Sequence, residues 1–168
     1  MTNNEYFLIL PMLLYGLAIA DLVGSWRRFL VKEQQYAPYI ITTILLLEVS
    51  FYNFYQLNQY VTEDTFKSYF AYFKILVSPL IFLVVVGVLT PDKDIPDVKA
   101  YFKKYMHLIF GGMALFVASH FLFDSHSPMG PRLVSIGFLL VTAIFKKEWM
   151  VYSLILLRIG TWLFIFNN

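Results

Sequence analysis

Residues 39–60 read YIITTILLLEVSFYNFYQLNQY, a stretch that is long and apolar enough to cross a bilayer as one helix. Glu48 lies close to its middle, where ionisable side chains are rare and usually face a bundle interior or a water-filled path. The helical period places further polar side chains on the same face as Glu48 or beside it. These side chains are Tyr52, Asn53, Tyr55, Gln56 and Gln59. The stretch therefore predicts a membrane helix whose polar face is covered by other helices.

The composition of the chain agrees with membrane insertion. Of 168 residues, 59% are hydrophobic, 19% are aromatic and 14% are charged, and a soluble domain of this size could not bury so much apolar surface. We therefore predict an all-α integral membrane protein with the lipid bilayer as its surroundings. The absence of cysteine excludes disulfides and thiolate sites. The net charge is +2 and the basic residues are spread over the connections, so no nucleic-acid partner is expected.

The apolar stretches predict a bundle of six membrane-spanning helices within a single transmembrane domain, residues 1–168. The predicted spans are 6–23, 39–60, 69–89, 105–123, 131–145 and 149–166. The fifth span is shorter than the hydrocarbon layer is thick, so it is either re-entrant or accommodated by local thinning.

The distribution of lysine and arginine predicts the orientation of the chain. Basic residues concentrate on the first, third and fifth connections, which the positive-inside rule places in the cytoplasm. Both termini are then outside, and a plasma (inner) membrane is the expected location. The basic residues of these connections are Arg27, Arg28, Lys32, Lys93, Lys99, Lys103, Lys104, Lys146 and Lys147, whereas the other connections carry Lys67 and Arg132.

The polar connection 91–104 divides the chain into possible halves 1–90 and 105–168, and a faint similarity between their first spans suggests a three-plus-three repeat. Shared use of aromatic residues and glycine in membrane helices explains the similarity without a repeat, and this explanation is favoured. Two surfaces of small residues favour close contacts between helices, and with them a homo-oligomer. Their members are Gly16, Ala20 and Gly24 in the first span, and Gly111, Ala114 and Ala118 in the fourth.

Glu48 and Arg158 are predicted to pair, because each lies near the middle of its span. Such a pair serves either in a transport path or only to fix the register of two helices. Lys74 either extends its ammonium group to the headgroups or lines the outer half of the path. Asp21 is expected to form a local ion pair at the cytoplasmic end of the first span.

His120, Asp124 and His126 at the outer end of the fourth span are a weak metal candidate, since imidazole and carboxylate groups suit zinc. Their spacing matches no established ligand motif, so neither a metal nor another cofactor is predicted. No catalytic motif is present either.

We predict from these features an ion or proton translocation path lined by Glu48, Tyr52, Asn53, Tyr55, Gln56, Lys74 and Arg158. One alternative is a binding or scaffold subunit of a membrane complex, whose basic cytoplasmic loops dock a soluble partner. Another is a membrane-embedded enzyme that modifies lipids. A hydrated route outward from Glu48 would favour transport, a dry and packed interior would favour the scaffold, and an opening towards the lipid would favour the enzyme.

Overall fold

The computed structural model describes residues 3–60, 68–91, 95–124 and 129–166. In these ranges the chain is helical and forms no strand, so the prediction of an all-α fold is confirmed. Single 3-10 turns lie at Lys32–Gln34 and His120–Leu122. The α-helices are α1 (Asn3–Gly24), α2 (Arg27–Leu30), α3 (Ala37–Tyr60), α4 (Tyr69–Leu89), α5 (Val98–Ser119), α6 (Met129–Phe145) and α7 (Glu148–Phe166).

Four helical stretches in the described part of the chain are long and apolar enough to cross a membrane. α6 is apolar but shorter, at 17 residues, and α7 has 19 residues with Glu148 and Arg158 among them. The four stretches overlap with the first four predicted spans. They are Phe7–Leu30, Ala37–Leu57, Tyr69–Leu89 and Val98–Leu122.

The helix ends have local causes that the hydrophobic pattern does not report. α5 begins at Val98, seven residues before the predicted position 105, because the Asp97 side chain accepts a bond from Ala100 N at 2.9 Å and caps the helix. Val98 and Phe102 are buried, so this first stretch of α5 packs as an amphipathic helix. α6 ends at Phe145 because Lys146 adopts a left-handed conformation, with φ at 52°, which terminates a helix.

The six long helices pack as a closed ring. α1 packs against α3 and α4, α4 against α5, α5 against α6, and α7 contacts both α6 and α3. The contacts of α5 with α4 and α6 are the most extensive, whereas those of α7 are the smallest in the ring. Among the helices of the first half, α3 and α4 each pack more on α1 than on each other. Among those of the second half, α5 and α7 each pack on α6, so the two halves differ in arrangement.

Large aromatic side chains fill the interior of the ring. Tyr39, Phe82, Phe102 and Phe110 are fully buried. The Phe102 ring meets Tyr39 edge to face at 6.3 Å and Phe110 at 6.2 Å. Such pairs contribute about 0.5–1.5 kcal/mol beyond the burial of their area. The interior of the described bundle is therefore a packed aromatic and aliphatic core.

The small residues of the two predicted surfaces lie in different surroundings. Gly16, Ala20 and Gly24 are exposed on the side of α1 that faces away from the bundle, whereas Ala114 is buried and Gly111 and Ala118 are half-buried. The prediction that these two surfaces contact another copy of the chain stays a prediction. α5 and α4 approach closely at Gly112, where an added Cβ would lie 2.5 Å from Val85 Cγ2 of α4.

Candidate functional site

The structure brings Glu48 of α3 and Arg158 of α7 together, although they are 110 residues apart in the sequence. Arg158 Nε donates to Glu48 Oε2 at 2.7 Å, and Arg158 Nη2 donates to Glu48 Oε1 at 2.8 Å. This two-point geometry is the strong form of an ion pair, because the planar guanidinium matches the carboxylate. The predicted partners therefore meet, and their contact joins α7 to α3.

Two aromatic side chains enclose this ion pair. Trp162 Nε1 donates a third bond to Glu48 Oε1 at 2.9 Å. Arg158 Cζ lies 5.3 Å from the ring centroids of both Tyr52 and Trp162, a cation–π arrangement that is strengthened by desolvation. Trp162 is not among the residues predicted from the sequence. The signal that could have found it is its position four residues after Arg158, on the same face of α7.

The ion pair lies at the edge of the bundle rather than in its core. The Glu48 side chain is 33% exposed and the Arg158 side chain is 24% exposed. Beside Glu48, a groove of about 470 Å³ opens on the side of the bundle between α3 and α7. We refer to it as the α3–α7 groove, and its lining residues are Ile44, Leu47, Glu48, Phe51, Tyr52, Tyr55 and Trp162.

The residues predicted to line one path are distributed over several surfaces. Tyr52 and Tyr55 line the α3–α7 groove with Glu48, and Tyr55 is 73% exposed. Asn53 is buried and Gln56 is half-buried. The Gln59 side chain lies outside the part of the structure that is described. Lys74 is half-buried on α4, with its ammonium nitrogen 5.1 Å from the ring centroid of Phe70. The structure thus brings only Glu48, Tyr52, Tyr55 and Arg158 together at the groove.

Asn53 belongs to a second buried polar cluster, which links α3 to the end of α5. Asn53 Nδ2 donates to Val49 O at 2.8 Å, and this leaves its Oδ1 facing His120 Nε2 at 2.8 Å. His120 Nδ1 lies 2.9 Å from Phe116 O. Both ring nitrogens therefore face oxygen atoms, and a neutral imidazole, with a single N–H, can donate to one of them.

The proposed metal candidates do not converge on an open site in the described residues. Both ring nitrogens of His120 face oxygen atoms of the protein, and buried Asp124 forms an ion pair with Arg132 of α6. His126 lies outside the described residues. Within the described ranges no three His, Cys, Asp or Glu side chains are grouped for a metal ion.

A third polar cluster joins the connections at the opposite end of the bundle. Buried Arg28, which follows α1, donates from Nη1 to Tyr39 Oη at 3.0 Å and from Nη2 to Pro91 O at 2.7 Å. Asp21 is exposed near this end and forms no ion pair within the described chain. The hydrogen bonds of Arg28 bring the first and third connections to one end of the bundle.

The fifth connection lies at the same end. Glu148, at the start of α7, pairs with Lys103 of α5 at 2.6 Å, and both side chains are exposed. The hydrogen bond from Lys103 holds the pKa of the Glu148 carboxyl below its ordinary value. Nearby Tyr36 has a buried hydroxyl beside Glu148. Burial raises the pKa of Tyr36, and the charge of Glu148 raises it further.

Fold and site together define an all-helical protein with four helices suited to a bilayer and an ion pair beside a lateral groove. Comparison with protein families, with curated proteins and with solved structures finds no match.

Proposed function

We propose that the protein is an integral membrane protein that binds a molecule from the lipid phase in the α3–α7 groove. The observation that carries this proposal is the position of the groove, which opens on the side of the bundle beside Glu48 and Arg158. Its volume falls within the range of about 300–1,000 Å³ that is usual for small-molecule sites. Its lining is also typical of such sites, with apolar and aromatic walls and few polar groups.

The packing of α7 supports the same proposal. α7 has the smallest contacts in the ring, so the bonds from Arg158 and Trp162 to Glu48 make a large part of its attachment to α3. Trp162 is also a wall of the groove. The ion pair thus fixes the shape of the groove. This role explains why two charged side chains lie at this depth, and it requires no conduction. The packed aromatic interior also favours binding at the side over passage through the centre.

Photolabelling tests this proposal. The purified protein in nanodiscs is irradiated with an alkyl probe that forms a carbene, and the labelled residues are located by mass spectrometry. We expect saturable labelling of Phe51 and Tyr55, competed by a lipid extract. Val84, which is 67% exposed on α4, is the control for general contact with lipid and should be labelled without saturation. Labelling of the groove that is no more saturable than that of Val84 contradicts the proposal.

We propose the following topology. All six long helices cross the membrane, with α6 as a short span, and both termini lie on the outer side of a plasma membrane. The first, third and fifth connections meet at one end of the bundle through Arg28, Pro91, Lys103 and Glu148, which supports their common cytoplasmic location. The exposed lysines at this end, among them Lys99 and Lys104, are available to dock a soluble partner.

Ion or proton translocation is the second candidate function, and one observation favours it. Glu48 is partly exposed in the groove, and Tyr52 and Tyr55 extend a polar face from it along α3. Because the groove is open on one side, a path along it requires a second copy of the chain to close it, in a homo-oligomer. In liposomes this function predicts that the protein dissipates an imposed ion or proton gradient and that Glu48→Gln changes the rate. A wild-type protein that leaks no faster than empty liposomes excludes it.

A further inference from the structure

The charges and hydrogen bonds of the α3–α7 groove indicate the class of its ligand. We infer that the groove binds a neutral lipid with one hydrocarbon chain in contact with α3 and a hydroxyl group on its head. This inference rests on the proposed binding function and adds the chemistry of the ligand to it.

The charge balance of the site favours a neutral head. Glu48 and Arg158 already neutralise each other through two bonds. A cationic head would compete with Arg158 for the carboxylate and leave the guanidinium unpaired at low dielectric, which is strongly unfavourable. An anionic head would face the carboxylate of Glu48, the charged group that lines the groove.

The free hydrogen-bonding capacity of the site favours a hydroxyl. Each carboxylate oxygen can accept two hydrogen bonds. Glu48 Oε1 accepts bonds from Arg158 and Trp162, whereas Oε2 accepts only one, from Arg158 Nε. In the described structure the hydroxyls of Tyr52 and Tyr55 have no protein hydrogen-bond partner. A ligand hydroxyl can donate a hydrogen bond to Glu48 Oε2 and accept one from a tyrosine hydroxyl, so that both groups then have a partner.

The walls of the groove suit a hydrocarbon chain. Ile44, Leu47 and Phe51 follow one another on α3, and Ile44 and Phe51 are about half exposed. The lining from Ile44 to Tyr55 extends over roughly 16 Å of helix. Because Glu48 lies between Leu47 and Phe51 in this lining, a single alkyl chain whose head reaches Glu48 extends to one side of it and buries apolar area there.

Quenching of Trp162 fluorescence provides the test. The chain has three tryptophans, so a background with Trp26→Phe and Trp149→Phe leaves Trp162 as the reporter. The protein in nanodiscs is titrated with three probes that share one brominated alkyl chain and carry a hydroxyl, a sulfate or a trimethylammonium head. The two charged heads keep their charge at every working pH. We expect saturable quenching by the alcohol at a concentration at least tenfold below that needed for either charged probe.

Two matched variants show whether the probe occupies the groove. Ile44→Phe narrows the groove without touching the ion pair, and it should weaken quenching by the alcohol several-fold. Leu156→Phe adds the same ring to α7 at a residue that is 72% exposed and outside the groove lining, and it should leave quenching unchanged. Equal weakening by both variants means that the probe does not bind in the groove and overturns the inference.

The possible results separate the inference from the proposed function. Saturable quenching that is equal for the three heads, or strongest for a charged head, overturns the hydroxyl inference and leaves binding at the groove intact. Absence of saturable quenching by all three probes, in a protein that still elutes as a folded species, removes both.

Discussion

Glu48 accepts three hydrogen bonds from two residues of α7, so its energetic role is tied to its partners. Loss of one partner from a fully buried ion pair costs about 3–5 kcal/mol. This pair is partly exposed, so we expect about 2 kcal/mol for Arg158→Ala, or about 4–8 °C in Tm for a chain of this size. Glu48→Ala should have a similar effect.

The double variant distinguishes a true pair from two independent contacts. Glu48→Ala combined with Arg158→Ala removes both charges, so the loss in Tm should be smaller than the sum of the two single losses. The measurement is the thermal unfolding midpoint in detergent for the four proteins. Additive losses would show that the two residues are not coupled.

The contact between Asn53 and His120 gives a second prediction at this scale. Asn53→Leu preserves the approximate volume but removes the oxygen that faces His120 Nε2. A buried polar group that loses its partner costs about 1–3 kcal/mol, so Tm should fall by several degrees. Gln56→Leu is the control on the neighbouring half-buried face of α3 and should change Tm little. Equal effects of the two substitutions would contradict a specific role for the Asn53–His120 bond.

The residues of the site differ in how far the sequence could predict them. Glu48 and Arg158 could be paired in advance, because an isolated charge at mid-span needs a partner and their depths agree. The contact of Asn53 with His120 could not be predicted, because it depends on which face of α3 meets α5. The position of the groove on the side of the bundle also depends on how α3 is rotated. The sequence period shows which residues share a face of a helix, but it does not show which helix packs against that face.

Gly112 of α5 lies in close contact with Val85 of α4. A Cβ at position 112 would lie 2.5 Å from Val85 Cγ2, and valine has little rotamer freedom in a helix. Overpacking of this kind costs about 1–3 kcal/mol, so Gly112→Ala should lower Tm. Gly111→Ala is the matched control, because nothing lies within 4 Å of its added Cβ. Val85→Ala should restore part of the loss caused by Gly112→Ala, and a failure to do so would place the strain elsewhere.

The junction between α5 and α7 predicts a dependence on pH. Lys103 lowers the pKa of Glu148 in the folded protein, so the bond stabilises the junction above the unfolded pKa of Glu148 and is lost as the pH falls through the folded value. Lys103→Ala should raise the pKa of Glu148 towards its ordinary value, as followed by the NMR shift of its carboxyl carbon. The Tm should change little, because exposed pairs contribute weakly. An unchanged pKa would mean that Lys103 is not the cause of the shift.

At the scale of the whole molecule, the hydrophobic pattern predicted the all-helical fold and the first four apolar stretches. It did so because the length of each apolar stretch and the spacing of its polar residues can both be read from consecutive residues. It could not predict the ring, in which α7 closes the bundle against α3. That arrangement is determined by pairings between distant residues, such as Tyr72 with Phe7 O and Arg28 with Pro91 O.

The proposed topology can be tested on a chain that contains no native cysteine. Single cysteines are introduced at Ser68, Met129, Lys99 and Lys146, all of them exposed and close to helix ends. Intact cells are treated with a membrane-impermeant maleimide. We expect labelling of Ser68→Cys and Met129→Cys, and labelling of Lys99→Cys and Lys146→Cys only after permeabilisation. The contact between Lys103 and Glu148 places Lys99 and Lys146 at one end of the bundle, so these two positions share a side if α5 and α6 both cross.

The short helix α6 makes the comparison of Met129→Cys with Lys146→Cys the most informative part of the test. The 17 residues of α6 are about 25 Å long, slightly less than the roughly 30 Å of the hydrocarbon layer. Opposite accessibility of the two positions means that α6 crosses, since local thinning or the long side chains of Lys146 and Lys147 can compensate for the difference. Labelling of both positions from outside would make α6 re-entrant and give α7 the opposite direction. Lys103 and Glu148 would then be on opposite sides of the membrane, which their contact at 2.6 Å contradicts, so we expect α6 to cross.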